Sequence, residues 1–117
     1  MARILVCEPH TEVRSLLGHV VGRLGHEAVF PGEDGDAGFR HVDVDVLVIE
    51  PADPRALAAA QILRLQREDI PIVCASIYPP SPHTRRLGPV AYLVKPFALG
   101  ELEAALHAAV GRVGVAA

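Results

Sequence analysis

Short runs of apolar residues alternate with polar and turn-forming segments along this chain. Five of these runs, over residues 3–7, 26–30, 45–50, 70–76 and 90–94, are predicted to be β-strands. Short continuous apolar runs are typical of strands that are covered on both faces, as in a parallel sheet with helices on each side. The run "DVLVIE" at 45–50 is the most hydrophobic, which predicts a central position in the sheet.

A helical period follows the first predicted strand. Apolar residues recur there at steps of three and four, which places them on one face of an amphipathic helix. They are Val13, Leu16, Leu17, Val20, Val21 and Leu24. We expect Thr11 to cap the start of this helix and Gly25 to end it in a left-handed turn.

Further helices are predicted over residues 36–42, 54–69 and 99–113. The helix over 54–69 has Pro54 in its first turn, where a missing N–H has no helical partner to lose. The inner face of the last helix carries three apolar residues, Leu102, Leu106 and Val110. Each of these helices follows one of the predicted strands.

Prolines shorten the helix expected between the fourth and fifth strands. The segment "IYPPSPHTRRLGPVAY" contains Pro79, Pro80, Pro82 and Pro89. Proline is tolerated only in the first turn of a helix, because further in it removes a hydrogen bond and clashes with the preceding turn. This fourth helix can therefore be little more than "SPHTRRL". Its basic segment "HTRR" (83–86) is expected to be a solvated face or a contact with a protein partner.

The alternation of strands and helices predicts an α/β fold. Repeated βαβ units form a doubly wound, five-stranded parallel sheet with helices on both faces. The 117 residues fit one domain, spanning 1–117. A sheet of this kind binds ligands at the carboxyl ends of its strands. The side chains expected at that edge are Glu8, Glu50, Ser76 and Lys95.

Composition and charge exclude several classes of protein. Apolar residues make up 50% of the chain and charged residues 21%, which is typical of a globular domain. The net charge of −3 argues against a nucleic-acid partner, which requires a concentrated basic face. No segment approaches the roughly 20 apolar residues of a membrane span, and the first run is too short for a signal peptide. We therefore expect a soluble cytoplasmic protein without a membrane partner.

The two cysteines, Cys7 and Cys74, each lie within an apolar run, and no C-x-x-C pattern is present. This pattern predicts small buried side chains in a reducing compartment rather than a disulfide or a metal site.

Four motifs together resemble the receiver domain of two-component response regulators, the CheY-like family, and the resemblance covers essentially the whole chain. "ILVCEPHTEVRSLL" is similar to the family's opening, in which an acid pair follows the first strand, and "DVLVIEPADP" to the strand that carries the phosphoacceptor aspartate. "PIVCAS" ends at the hydroxyl switch position, Ser76, and "YLVKPF" carries the lysine, Lys95, and the aromatic switch, Tyr92. The resemblance implies a flavodoxin-like fold with strand order 2-1-3-4-5 and a cis peptide bond between Lys95 and Pro96.

The chain departs from the family pattern at two positions. The acid pair reads Glu8–Pro9, so its second member, a metal ligand in the family, has no side-chain oxygen. Glu50 stands where the family has the phosphoacceptor aspartate, and it is longer by one methylene, about 1.5 Å. A misplacement of about 1 Å can lower a rate by about two orders of magnitude. We therefore expect no phosphorylation, no enzymatic activity and no resident Mg²⁺ or other cofactor, with Glu50 offering a permanent negative charge to Lys95.

The function expected from the resemblance is signal transduction through contact with a protein partner, as a stand-alone receiver; a homodimer is left open. Glu50 either holds the domain in an active-like state with Ser76 and Lys95 engaged, or belongs to an inert site whose domain signals by being bound. A carboxylate carries one charge where a phosphoryl group carries up to two, which favours the inert site.

Two alternative functions are left open. In the first, the chain still accepts a phosphoryl group from a histidine kinase on Glu50, Asp53 or Ser76. In the second, Glu8, His10 and Glu50 bind a metal ion, or bind a small anion together with Lys95. The plainer expectation is that His10 is solvent-exposed and that Asp53 lies on the loop beyond the third strand.

Overall fold

Strands and helices alternate along residues 1–31 and 43–113, the part of the chain that the computed structural model describes. The strands are β1 (Arg3–Cys7), β2 (Glu27–Val29), β3 (Val46–Ile49), β4 (Ile72–Ser76) and β5 (Ala91–Val94). The helices are α1 (Thr11–Arg23), α2 (Pro54–Gln66), α3 (Pro82–Arg86) and α4 (Leu99–Val113). The helix predicted over 36–42 lies outside the described residues.

The strands form one five-stranded sheet in the order β2-β1-β3-β4-β5. Every neighbouring pair is parallel. The predicted α/β class and strand order are confirmed. All residues of β3 and β4 are buried, which explains why these segments are almost continuously apolar in the sequence.

Side chains alternate between two apolar cores on the opposite faces of the sheet. On one face, Val46 and Val48 of β3 pack with buried residues of α1 and α4, including Leu106. On the other face, Leu47 and Ile49 pack with buried residues of α2. Full burial of each such side chain contributes about 1.5–3 kcal/mol to stability, so the two helical layers are held mainly by apolar packing.

The predicted inner face of α1 is only partly correct. Leu17, Val20 and Val21 are buried, but Leu16 is 41% exposed. Leu16 and Leu17 are adjacent and so point about 100° apart around the helix, and only one of them can face the sheet fully.

The predicted cap at Thr11 is wrong, because Thr11 is already the first helical residue. His10 occupies the N-cap with extended dihedral angles, and no side-chain hydrogen bond caps the helix there. At the other end the prediction holds. Gly25 has a φ of +87°, in the left-handed region that residues with a Cβ rarely adopt.

The helix predicted over 54–69 ends earlier, at Gln66, because the next residue, Arg67, has an extended backbone. Its start is as expected, with Pro54 in the first turn after the N-cap Asp53. The short fourth helix of the prediction corresponds to α3, which is capped by the Ser81 hydroxyl.

Over residues 1–31 and 43–113, no helix combines the length and apolar character needed to cross a membrane.

Candidate functional site

The carboxyl ends of three parallel strands bring Glu8, Glu50 and Lys95 together. These residues directly follow β1, β3 and β5, whose ends meet at the same edge of the sheet. Lys95 Nζ lies 2.5 Å from Glu8 Oε1 and 3.4 Å from Glu50 Oε1. One ammonium group therefore bridges two carboxylates that are more than 40 residues apart in the sequence.

All three side chains are largely removed from solvent. The exposed fraction is 2% for the Glu8 side chain, 10% for Glu50 and 14% for Lys95. A buried charge is unfavourable unless it is paired and hydrogen-bonded, so each carboxylate depends on the single lysine. With two carboxylates and one ammonium group, the cluster has an excess of one negative charge.

The second oxygen of each carboxylate accepts a hydrogen bond from the chain just downstream. Glu8 Oε2 accepts from the backbone N–H of His10 at 3.1 Å, and Glu50 Oε2 accepts from that of Ala52 at 3.4 Å. These contacts and the lysine bridge together fix both carboxylates. The Lys95–Pro96 peptide bond is cis, as the family resemblance implies.

The hydroxyl groups of Ser76 and Tyr92 both bond to the backbone of Tyr78 rather than to the charged side chains of the cluster. The Ser76 hydroxyl accepts a hydrogen bond from the Tyr78 N–H at 3.2 Å, and the Tyr92 hydroxyl donates to the Tyr78 carbonyl at 2.6 Å. Within residues 1–31 and 43–113, the Ser76 hydroxyl makes no hydrogen bond to the side chain of Glu50 or Lys95. The Ser76 carbonyl accepts one from the backbone N–H of Lys95 at 2.8 Å, within the pairing of β4 and β5. Tyr92 is half-buried against the core on the α2 face, and burial raises the pKa of its phenol.

The structure does not assemble the metal-ligand set considered from the sequence. His10 is exposed, and no group of three or more His, Cys, Asp or Glu side chains suited to a metal occurs in the described ranges. A magnesium ion requires near-octahedral oxygen ligands at about 2.0–2.1 Å. Here the Lys95 ammonium group occupies the space beside both carboxylates, and Pro9 offers no side-chain oxygen. The residues present therefore do not fit Mg²⁺.

Asp53 lies at the start of α2 and has a local structural role. Its side chain accepts a hydrogen bond from the backbone N–H of Arg55 at 3.4 Å, as an N-cap residue does. The position on the loop beyond β3 is the one expected from the sequence.

Sequence reasoning missed two features of this site. It paired Lys95 with Glu50, whereas the shorter contact is with Glu8. It also missed Tyr78, whose backbone binds both predicted switch residues. The available signal was its position two residues after Ser76, because serine hydroxyls commonly bond the backbone N–H two residues on.

The two thiols lie beside this cluster and are buried. Burial, with a smaller effect of the Asp53 charge, raises the pKa of Cys7 to about 12. Burial, with a smaller effect of the Glu50 charge, raises the pKa of Cys74 to about 12. Both side chains thus remain neutral thiols in the folded chain, which makes them poor nucleophiles.

The folded chain should therefore resist alkylation. At pH 8, a thiol with a pKa of about 12 is ionised in about one molecule in ten thousand, against about one in ten at the ordinary value of 9.0. We expect iodoacetamide to modify both cysteines at least about 100-fold more slowly in the native chain than in urea. Mass spectrometry over time measures both rates, and similar rates would contradict the burial of the thiols.

Comparisons with known proteins identify the fold. No protein-family model matches the chain, and no curated protein matches its sequence. A receiver domain of a sensor histidine kinase from Pseudomonas aeruginosa, whose structure holds a magnesium ion in the active site cleft, is similar at 19% identity and a TM-score of 0.77, over 94% of this chain and 98% of that one. The chemotaxis protein CheY4 of Vibrio cholerae is similar at 22% identity and a TM-score of 0.77, over 93% of this chain and 98% of that one.

A response regulator receiver domain from Clostridium thermocellum is similar at 16% identity and a TM-score of 0.81, over the full length of both chains. The chain therefore has the CheY-like fold of receiver domains, and the predicted flavodoxin-like architecture is confirmed.

Proposed function

We propose that this chain acts as an atypical receiver in signal transduction, working through contact with a protein partner and without phosphorylation at the usual strand end. The observation that carries the proposal is the position of Lys95 Nζ, 2.5 Å from Glu8 and 3.4 Å from Glu50. In typical receivers the corresponding lysine binds phosphoryl oxygens. Here the positive charge of the lysine ammonium group is balanced by two carboxylates of the chain itself.

Four features of this site oppose phosphoryl transfer. The Glu50 carboxylate extends about 1.5 Å beyond the reach of an aspartate. Lys95 would have to leave Glu8 to bind an incoming phosphoryl group, and the buried Glu8 carboxylate would then lose its counter-charge. Two carboxylates also repel the dianionic donor, and the chain lacks a second acid at Pro9 to bind a neutralising metal ion.

The contacts of Ser76 favour an inert site over an active-like one. If Glu50 imitated a bound phosphoryl group, the Ser76 hydroxyl would be expected to turn toward it. Its hydrogen bond is instead to the N–H of Tyr78. We therefore propose that the domain signals by being bound, with no catalytic step.

Exposed apolar side chains at the ends of β4 and β5 form one surface suited to a protein partner or a second copy of the chain. They are Ile77, Tyr78, Val94 and Leu99, with exposed fractions of 60%, 58%, 51% and 45%. Val94 is paired in register with Ser76, the residue before Ile77, so Ile77 and Val94 lie at the same end of two neighbouring strands. Exposed apolar side chains that cluster are typical of interaction sites.

Incubation with a small phosphodonor tests the proposal directly. We expect the intact mass of the chain to be unchanged after treatment with acetyl phosphate and Mg²⁺. Addition of one phosphoryl mass to the folded chain would contradict the proposal. Peptide mapping would then distinguish Glu50, Asp53 and Ser76 as the acceptor.

A further inference from the structure

An open depression lies at the opposite edge of the sheet from the Lys95 cluster. Its walls come from the segments that precede β4 and β5 and from the ends of α2, α3 and α4, and its volume is about 700 Å³. Three arginines line it, Arg64, Arg86 and Arg112, and we call it the arginine depression. The volume falls within the range of about 300–1,000 Å³ that is typical of binding pockets.

Arg64 is fixed in place at the base of the arginine depression. Its guanidinium group donates to the carbonyls of Glu68 at 2.7 Å, Ile70 at 2.6 Å and Leu87 at 2.6 Å. Its Nε is buried and has no hydrogen-bond partner. Burial also lowers the pKa of this guanidinium, as expected for a cation whose direct partners are neutral.

The other two arginines lie at the rim, and their side chains are exposed. Arg86 ends α3 and Arg112 lies in the last turn of α4, and both are exposed. Over the described ranges, none of the three arginines takes part in an ion pair, whereas Arg3 and Arg23 pair with nearby glutamates. The lining carries these three arginines against two acids, Glu68 and Asp69, which leaves an excess of one positive charge at this edge of a chain whose net charge is −3.

The remaining lining residues narrow the class of ligand. Ile70, Leu87 and Val90 give the depression an apolar floor. Glu68 and Asp69 lie on the same rim, and their charges would repel a polyanion such as nucleic acid or a nucleotide. A mixed surface of this kind is complementary to a peptide that carries acidic and apolar side chains next to each other.

We propose that the arginine depression binds a peptide segment of a protein partner in which an acidic side chain contacts Arg86 and Arg112 and a neighbouring apolar side chain covers the floor. Guanidinium groups bind carboxylates bidentately, which fixes the position of the acid. Arg64 shapes the floor and supplies positive charge without contacting the peptide. This site does not depend on the chemistry of Glu50, which lies at the other edge of the sheet.

Titration with minimal peptides, followed by two-dimensional amide NMR, tests this inference. We expect N-acetyl-Leu-Glu-amide to shift the amide resonances of residues 70, 87 and 90. N-acetyl-Leu-Gln-amide should bind about fivefold more weakly than the acidic peptide, because its neutral amide cannot form the partly exposed ion pair with the arginines. Inorganic phosphate is the third probe, and it should shift these resonances less than the acidic peptide at equal concentration.

Matched variants test whether the acidic side chain of the peptide contacts Arg86 and Arg112. Arg86→Gln and Arg112→Gln should each reduce binding of the acidic peptide about threefold to fivefold. Arg85→Gln, which changes an exposed arginine next in the sequence that does not line the depression, should leave binding unchanged. Equal binding of the two peptides, stronger shifts with phosphate, or no shifts at these residues would each overturn the proposal. None of these results bears on phosphorylation at Glu50, which is measured separately by mass.

Discussion

A chain with both Glu50→Asp and Pro9→Asp is expected to take up a phosphoryl group from acetyl phosphate in the presence of Mg²⁺. The first substitution withdraws the carboxylate by about 1.5 Å toward the end of β3 and makes room for the incoming group. The second adds an oxygen ligand beside Glu8, so that a metal ion can neutralise the charge that Lys95 now balances alone. Because about 1 Å of misplacement corresponds to about two orders of magnitude in rate, we expect phosphorylation at least about 100-fold faster than in the natural chain. Intact mass spectrometry over time measures it.

Single substitutions separate the two contributions. Glu50→Asp alone should show only weak phosphorylation, because the metal ligand is still missing, and Pro9→Asp alone should show less. Glu50→Asn combined with Pro9→Asp removes the nucleophile and should show none. If the double variant folds, as judged by circular dichroism and its urea midpoint, yet remains unmodified, then these two departures are not what prevents phosphorylation.

The sheet could be predicted because its strands bury both faces. Every residue of β3 and β4 is buried, so an almost continuous apolar run is required there and is visible in the sequence. The boundaries of the strands were predicted less accurately. The run at 70–76 includes Ile70 and Pro71, which are buried but precede the first paired residue, Ile72. Apolar character reports burial, whereas β4 begins at Ile72, the first residue paired in register with β3, although the Pro71 carbonyl already accepts a hydrogen bond from the Leu47 N–H.

Helix ends depend on backbone geometry that the sequence does not display. Thr11 and His10 both stand near the start of α1, and a threonine is the better capping residue. The chain turns into the helix one residue earlier than the cap at Thr11 requires, so the threonine hydroxyl has no capping position. The sequence was sufficient to predict the end of α1 near Gly25, because a glycine after an apolar helical period commonly adopts a left-handed conformation.

The sequence placed charged residues at one sheet edge but could not select their contacts. Strand order determines that Glu8, Glu50 and Lys95 meet, since their strands are neighbours or near neighbours in the sheet. Which carboxylate oxygen the ammonium group approaches is decided by side-chain torsion angles. The carbonyl contacts of Arg64 could not be predicted either, because they depend on the path of the backbone after α2 and after α3.

Removing the lysine should produce the largest loss of stability of any change considered. Lys95→Met keeps much of the side-chain volume but leaves the Glu8 and Glu50 carboxylates close together and without a cation. Breaking a buried ion pair by removing one partner typically lowers the free energy of unfolding by 3–5 kcal/mol. We expect the free energy of unfolding to fall by about 3 kcal/mol, at the lower end of that range, because the lysine side chain is still 14% exposed to solvent. Equilibrium unfolding in urea measures it, provided that the slope of the transition is unchanged.

Two control chains assign that loss to uncompensated charge. Adding Glu8→Gln and Glu50→Gln to Lys95→Met removes the stranded carboxylates and should recover most of the lost stability, because neutral amides can be buried with fewer partners. Arg23→Met breaks the Arg23–Glu103 pair, whose side chains are 57% and 36% exposed, and should lower stability by less than about 1 kcal/mol. If Lys95→Met lowered stability no more than Arg23→Met does, the lysine would not be compensating buried charge. The cluster would then be a solvated set of strand-end residues, and the main argument against phosphorylation at Glu50 would fail with it.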